Sequence, residues 1–492
     1  MKKIRSFLII LASALLMFSC GEDYLDTAPT DAVSADVIFS TTQGADVALN
    51  GVYRWMYWYH GTGHDDYGYK ALDIKADLMG NDMKIYSYGY GWFVRDYNYV
   101  ERGNPGDETT TWIAWKLNYE VIYNANMVLA NIEGAAGPLE EKNAISAQAL
   151  ALRAFAYFNL AQWYGPTYVG NESAPCVPIK VLPDEEHVSI STVGDVFTQA
   201  KNDIAESVRL FNEPGTVGRQ AKSQINLDVA YGIQARIALI MHEWDLAITA
   251  ATAARANYGL MSADDFVAGF KDVENGEWIW GLDVNDEQAT IYASFFSHMD
   301  PIKFSYASLG LQKQVPQWMY EAMPDTDVRK AVVVSPQNLI DSTIWAQTGQ
   351  LVPVYASIKF NTFNSWASDY VMMRAAEMYL IEAEAAAEAG NDPAAQTALN
   401  MVMDARDPGT STSNTGQALK DEIFWQRRIE LWGEGFGLFD LKRKKLPMDR
   451  VDHDPTLCNE TSIAAESYLF NLRIPQYEID ANDNISEADQ RD

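Results

Sequence analysis

The sequence predicts a mostly α-helical protein, built from tetratricopeptide-like helical hairpins and carrying a loop-rich, irregular face for ligand binding. Three observations predict it. In NLDVAYGIQARIALIMHEWDLAITAATAARANYG (226–259), Val229, Ile233, Ile237 and Ile240 recur at helical spacing, His242 and Glu243 break the pattern, and Trp244, Ala247, Ile248, Ala251 and Ala254 resume it. VMMRAAEMYLIEAEAAAEAGNDPAAQTALNMVMDARDPG (371–409) repeats the arrangement, with Gly390 to Pro393 as stop and restart and Pro408 closing the second helix. Between the hairpins lie long segments, 60–108, 165–190, 259–368 and 444–480, too rich in Trp, Tyr and Phe for disorder and long enough to carry function. A strict repeat is absent, so the expectation is a helical scaffold and not a regular solenoid.

Taken in order, the chain begins with three cations in MKKIR, an apolar run FLIILASALLMF too short to span a bilayer comfortably, and then Ser19 and Cys20. This is the anatomy of an export signal. Leu15 to Cys20 resembles a lipoprotein signal, which makes residues 1–19 the signal peptide and Cys20 the lipidated first residue of a single mature domain, 20–492. Its halves meet near residue 260. The 492 residues bury a sizeable core, and 48% hydrophobic with 21% charged residues is ordinary globular usage. A formal charge of -30, made more negative by loss of the signal's three cations, repels polyphosphates and acidic polysaccharides and argues against nucleic acid. Cys176 and Cys458 are left either to pair, as export permits, or to sit as buried thiols.

Helices are expected at 42–58, 109–132 and 140–163, the last ended by Tyr164, Gly165 and Pro166. The segment between the first two contains YSYGYGWFVRDYNY (86–99), with Tyr86, Tyr88, Tyr90 and Trp92 on alternate residues and Gly89 and Gly91 between the last three. On an irregular face such rings offer flat apolar area for the CH-rich faces of sugars, while neighbouring polar groups bond hydroxyls. Trp92, Tyr90 and Tyr88 are therefore the candidate platform, with Asp77, Asn81, Asp82 and Arg95 as polar partners, and Asp73 and Asn98 nearby. The middle segment adds Tyr292 and Phe296, with Phe295 and His298 beside them and Trp345 and Trp366 as weaker candidates. Each of these rings has packing under loops or against a partner as its alternative role.

Metal and catalytic patterns are thin. HGTGH (60–64) spaces His60 and His64 four apart, but Gly61 and Gly63 oppose the helix that would present both rings to zinc, leaving a loop with solvated histidines. LDVNDEQ (282–288) has calcium-friendly oxygens without the glycine and terminal glutamate of an EF-hand, so a structural calcium has no support. No phosphate loop, GxSxG elbow or dinucleotide fingerprint occurs. In QRRIELWGEGFGLFDLKR (426–443), Arg427 and Glu430 are spaced to pair on one helix face, and Asp440 is close enough to reach back. Glu430 and Glu434 read as a buried ion network rather than an acid/base pair.

CGEDYLDTAPTD (20–31), ALRAFAYFNLAQWYGPTYV (151–169), MRAAEMYLIEAEAAAEAG (373–390), QRRIELWGEGFGLFDLKR and RIPQYEIDAND (473–483) together resemble the SusD/RagB family of outer-membrane nutrient-binding lipoproteins. The resemblance implies a SusD-like scaffold with an N-terminal part of about 20–260 and a C-terminal part of about 261–492. It also implies a cell-surface lipoprotein that binds a nutrient glycan and delivers it to a SusC-type TonB-dependent transporter. Gln426 and Gly437 depart from the family's usual residues, which puts an ion pair there in doubt. No cofactor is expected beyond the lipid on Cys20, the glycan is expected to be neutral, and no enzyme activity is expected. A peptide-capturing RagB-like binder is the alternative, with an exported glycoside hydrolase behind it.

Overall fold

The computed structural model describes residues 35–61, 63–100, 109–289, 292–339, 352–361 and 366–490; Cys20 and Trp345 lie outside them. The anticipated helices form as Thr42–Trp55, Thr109–Asn131 and Leu139–Tyr164, and the first hairpin as Leu227–Ile240 and Trp244–Arg255. A further helix, Val193–Phe211, lies between them and was not anticipated. Thr192 and Asp195 close its N-terminus as a reciprocal capping box.

The helices stack in chain order. Leu139–Tyr164 packs between Thr109–Asn131 and Val193–Phe211, Val193–Phe211 meets Leu227–Ile240, and Trp244–Arg255 leads on to Ala375–Glu388, Asp392–Arg406 and Gly416–Glu430. Small residues make the close crossings possible: Ala247, Ala250, Ala251 and Ala254 are buried on one helix and Ala383, Ala385, Ala386 and Ala387 on its neighbour. Gly232 lets the Met373 side chain pack against its helix, since a Cβ there would lie 2.1 Å from Met373 Sδ and the thioether would have to move. The main hydrophobic core runs without interruption from Phe39 to Ile485, on both sides of residue 260. Among the described residues no helix is long and apolar enough to cross a membrane.

Two expectations are corrected. Tyr370–Arg374 is a strand, paired antiparallel with Trp278–Leu282 in the register Trp278 to Arg374 and Leu282 to Tyr370, so the second hairpin starts at Ala375. The short apolar run VMM is wanted in a buried pairing, where Trp278 and Trp280 are fully covered. Segment 60–108 is also not wholly irregular, since Tyr69–Leu78 is a helix buried at nine of its ten positions.

The carboxylates of the QRRIELWGEGFG motif lie inside the scaffold. Glu430 is fully buried and receives Arg374 Nη1 at 2.6 Å, Arg406 Nη2 at 3.0 Å and Arg329 Nη1 at 3.3 Å. Glu277 bridges Arg374 at 2.7 Å and Arg406 at 2.9 Å from the other side. Glu434 meets Arg374 at 2.8 Å and Lys359 at 2.7 Å. Burial alone would raise the Glu434 carboxyl, but Arg374 and Lys359 hold it down at about 2. Arg427 turns away from Glu430 and binds Asp440 at 2.8 Å, the reach-back the sequence allowed. Gln426 keeps a hydrogen bond without the charge, its Oε1 accepting from Arg329 Nη2 at 2.7 Å. Cys176 and Cys458 are buried free thiols.

Candidate ligand-binding site

The glycines of the 86–99 run serve a turn, neither helix nor strand. After the two-residue strand Lys84–Ile85, which pairs with Lys313–Gln314, the chain reverses through Gly89 at φ 47 and Gly91 at φ 88, with Gly91 N–H donating to Tyr88 O at 2.7 Å. A side chain at Gly89 would press on the backbone of Gly310 at 3.3 Å, so the turn docks directly on the middle segment. Phe93, in the left-handed region at φ 64, is a buried plug that starts the short helix Val94–Tyr97. Tyr90 is thereby presented outward at 65% exposure, and Trp92 lies half-buried beside it.

These two rings meet aromatics from two distant segments. The His64 imidazole lies between Trp92, with ring centres 5.1 Å apart and planes at 30°, and Tyr292, at 5.9 Å and 12°. Tyr306 stands against the edge of this stack, 5.4 Å from Tyr292, 6.0 Å from Trp92 and 5.3 Å from Tyr90. Its phenol oxygen is 2.6 Å from His64 Nδ1. Tyr59 closes the cluster edge-on to His64 at 6.0 Å. The platform is fixed from below by His298, whose Nε2–H donates to the His64 carbonyl at 2.9 Å and whose ring stacks on Tyr306 and Tyr67. Burial, reinforced by the Lys313 ammonium, holds the His298 imidazole neutral. The indole nitrogen of Trp92 is buried in the cluster, beside the Tyr306 phenol. The arrangement offers stacked ring faces and an imidazole nitrogen, Nε2, without a described partner.

Of the predicted site residues, the structure brings Trp92, Tyr90 and Tyr292 together. Tyr88 is 39% exposed on the same turn but leans away, its hydroxyl donating to Thr456 O at 3.3 Å. Arg95 is half-buried on the short helix that follows.

The remaining predicted residues belong to the scaffold. Asp77 is buried and accepts the N–H groups of Gly435 at 3.0 Å and Gly437 at 2.8 Å, and burial pushes its carboxyl up to about 7. Asn81 accepts Asp449 N–H at 2.8 Å, and Asp82 forms a two-pronged pair with Arg428 at 2.8 and 2.5 Å. Asp73 is paired with Lys70 at 2.7 Å, and Asn98 accepts Asn459 N–H at 2.6 Å. Phe296 and Phe295 are buried against Tyr370, and Trp366 is half-buried. The reason is common to all: proximity in sequence to an exposed turn does not set the side on which a neighbouring helix or loop points.

Sequence reasoning missed His64, Tyr59 and Tyr306. The HGTGH loop was expected to be solvated; instead His64 is in the stack and His60 lies 4.1 Å from Trp55 with both ring nitrogens shielded, which with the Lys116 charge lowers it to about 4. Among the described residues no group of His, Cys, Asp and Glu is arranged to hold a metal.

Comparison with known proteins places the chain among characterised folds. A family model described as the SusD family matches residues 334–489, and one described as starch-binding associating with outer membrane matches 23–239. A SusD-like carbohydrate binding protein from Bacteroides vulgatus is 30% identical, with a TM-score of 0.79 over 92% of this chain and 98% of that one. A SusD-like protein of Bacteroides ovatus is 26% identical over 48% of this chain, and the match spans 40% of that relative's length. Surface glycan-binding protein A from Bacteroides thetaiotaomicron, solved in complex with laminarihexaose, shares the fold at 19% identity, with a TM-score of 0.69 over 90% of this chain and 98% of that one.

Proposed function

The chain belongs to the SusD family, and from that premise we propose that it is a lipid-anchored outer-membrane protein that captures a neutral nutrient glycan and delivers it to a SusC-type TonB-dependent transporter. The observation that carries the glycan assignment is the Trp92, His64 and Tyr292 stack, edged by Tyr306 and Tyr90. Sugar rings present an apolar face to such rings and hydroxyls to the donors around them, and the rigid aromatics lose little entropy on binding. The chain's acidity disfavours polyanionic glycans and favours neutral ones. Anchoring through Cys20 and hand-over to a transporter extend the reading along the family's lines.

No catalytic step is assigned. Glu430 is buried, and both Glu430 and Glu434 are engaged by guanidinium and ammonium groups. The test is binding of purified residues 21–492 to neutral and acidic polysaccharides and to peptides, beside Trp92→Ala. A neutral glycan should bind the parent, and the variant should lose at least about tenfold in affinity, the scale of one well-placed aromatic contact, with its thermal unfolding little changed. Equal binding by parent and variant removes the platform from the site, and binding of peptides alone overturns the glycan assignment.

A further inference from the structure

A second aromatic surface lies on the other side of the 55–64 loop. The helix Thr109–Asn131, the 180–187 loop and the short helix Gln476–Ala481 enclose an open groove of about 860 Å³. That is within the roughly 300–1,000 Å³ of ligand pockets, and it is far larger than the crevices beneath the helices.

Its walls are built for a particular chemistry. Trp112 and Tyr477 meet at an angle of 70° with ring centres 6.5 Å apart, making a corner of two faces, and Tyr123 stands 48% exposed further along the same helix. Lys116 lies half-buried between indoles, its ammonium 4.6 Å from the Trp112 ring and 5.7 Å from Trp55, with no carboxylate partner among the described residues. Glu120 and Glu186 likewise have carboxylates with no described partner, and Glu120 is near enough to Tyr477 to help burial and Glu478 push its phenol upward. Exposed ring faces, one unpaired ammonium and two unpaired carboxylates share one groove. A polyanion meets the glutamates, and a polycation meets Lys116. A neutral polyol satisfies both, because each hydroxyl donates to a carboxylate and accepts from an ammonium while the ring's CH face lies on an aromatic.

A chain of packed side chains links the groove to the platform. Lys116 contacts Trp55, Trp55 packs on His60, and the adjacent Tyr59 meets His64 of the stack. We infer that the groove between Thr109–Asn131, the 180–187 loop and Gln476–Ala481 is a second glycan subsite, which holds a further stretch of a long neutral saccharide bound at the platform. The inference rests on the glycan reading of the platform and adds a second point of attachment, which raises the avidity for long chains without new contacts at the first.

Hydrogen exchange distinguishes the two. The soluble chain, residues 21–492, is exposed separately to millimolar laminarihexaose, maltohexaose, cellohexaose and mannohexaose, and to a neutral Ala/Ser/Gly hexapeptide. Protection is then read in 182–187 and 477–482 for the groove and in 86–93 for the platform. The expected result is protection of both regions by at least one hexasaccharide. Tyr123→Ala combined with Tyr477→Ala should then abolish groove protection, leave platform protection intact, and weaken binding of the corresponding long polysaccharide by about tenfold. Platform protection without groove protection overturns the second subsite and leaves the glycan reading standing. Groove protection alone overturns both the platform and the inference as stated, because the groove then holds no further stretch of a chain bound at the platform. Protection by none of the sugars overturns both, and groove protection by the hexapeptide alone overturns the saccharide assignment. The two tyrosines are exposed, and unchanged thermal unfolding of the double variant separates lost binding from lost fold.

Discussion

The phenol oxygen of Tyr306 lies 2.6 Å from Nδ1 of His64, joining residues 242 apart in the chain at the centre of the aromatic platform. When Tyr306 donates to Nδ1, the ring's proton sits on Nε2, where no described residue accepts it and a sugar hydroxyl can. Tyr306→Phe keeps the ring packing and removes this lock. Calorimetric titration with the platform's glycan should show affinity lowered about threefold to tenfold, the 0.5–1.5 kcal/mol worth of one hydrogen bond, with only a small change in thermal unfolding. Unchanged affinity would mean that the orientation of His64 plays no part in binding.

The buried Glu430 carboxylate pairs with three guanidinium groups. Replacing both members of such a cluster by apolar residues is often tolerated, whereas removing one member leaves the other charges uncompensated. Glu430→Gln should therefore cost about 3–5 kcal/mol in urea denaturation. Polysaccharide incubated with the parent should release no new reducing ends. A cost below about 1 kcal/mol, or hydrolysis that disappears in the variant, would return Glu430 to the list of functional groups.

Cys20 is the anchor expected from the signal anatomy, and among the described residues no helix is long and apolar enough to take its place. In cells fed radiolabelled palmitate, the parent should take up label and sediment with membranes through a high-salt wash, because buried acyl chains hold by hydrophobic area and are not screened. Cys20→Ala should take up no label and move to the soluble fraction. Retention of the variant in washed membranes would place the anchor elsewhere.

The helical hairpins were legible because Val229, Ile233, Ile237 and Ile240 recur at a period that only a helix buries on one side. The strand Tyr370–Arg374 was not, because its apolar residues run straight into Ala375 with no Gly or Pro to mark the change. At the candidate site, the turn that carries Tyr90 and Trp92 was legible from the glycine-punctuated run. Tyr292 followed from composition. His64 and Tyr306 were not legible, because their roles come from long-range contact. Asp77 and Phe296 were misplaced for the converse reason: they adjoin exposed aromatics in sequence but fold inward, Asp77 onto Gly435 and Gly437 and Phe296 onto Tyr370. The groove at Trp112 and Tyr477 gave no sequence signal, since its rings sit on helices where aromatic residues ordinarily serve the core.

His453 ties the segment after the last long helices to the base of the aromatic run. Its Nδ1 accepts from Tyr97 O–H at 2.7 Å, its Nε2–H faces Asn81 O at 3.2 Å, and burial, aided by the Arg450 guanidinium, lowers its imidazole to about 3. In the unfolded chain the same ring titrates near 6.5. Between these values the unfolded state binds the proton and the native state does not, so the stabilisation is complete above about pH 6.5 and is lost as the pH falls toward 3. His60, lowered to about 4, acts with the same sign. Asp77, whose buried carboxyl is raised to about 7, acts with the opposite sign over the same range, so in urea unfolding from pH 7 to pH 4.5 the loss from His453, on the order of 2 kcal/mol, is read as the difference between the parent and His453→Gln. His453→Gln keeps an acceptor for Tyr97 and a donor for Asn81 but cannot take the proton, so it should flatten that part of the slope. An identical slope in both proteins would assign the acid sensitivity to other groups, with the Glu434 carboxylate, held at about 2, next in line at lower pH.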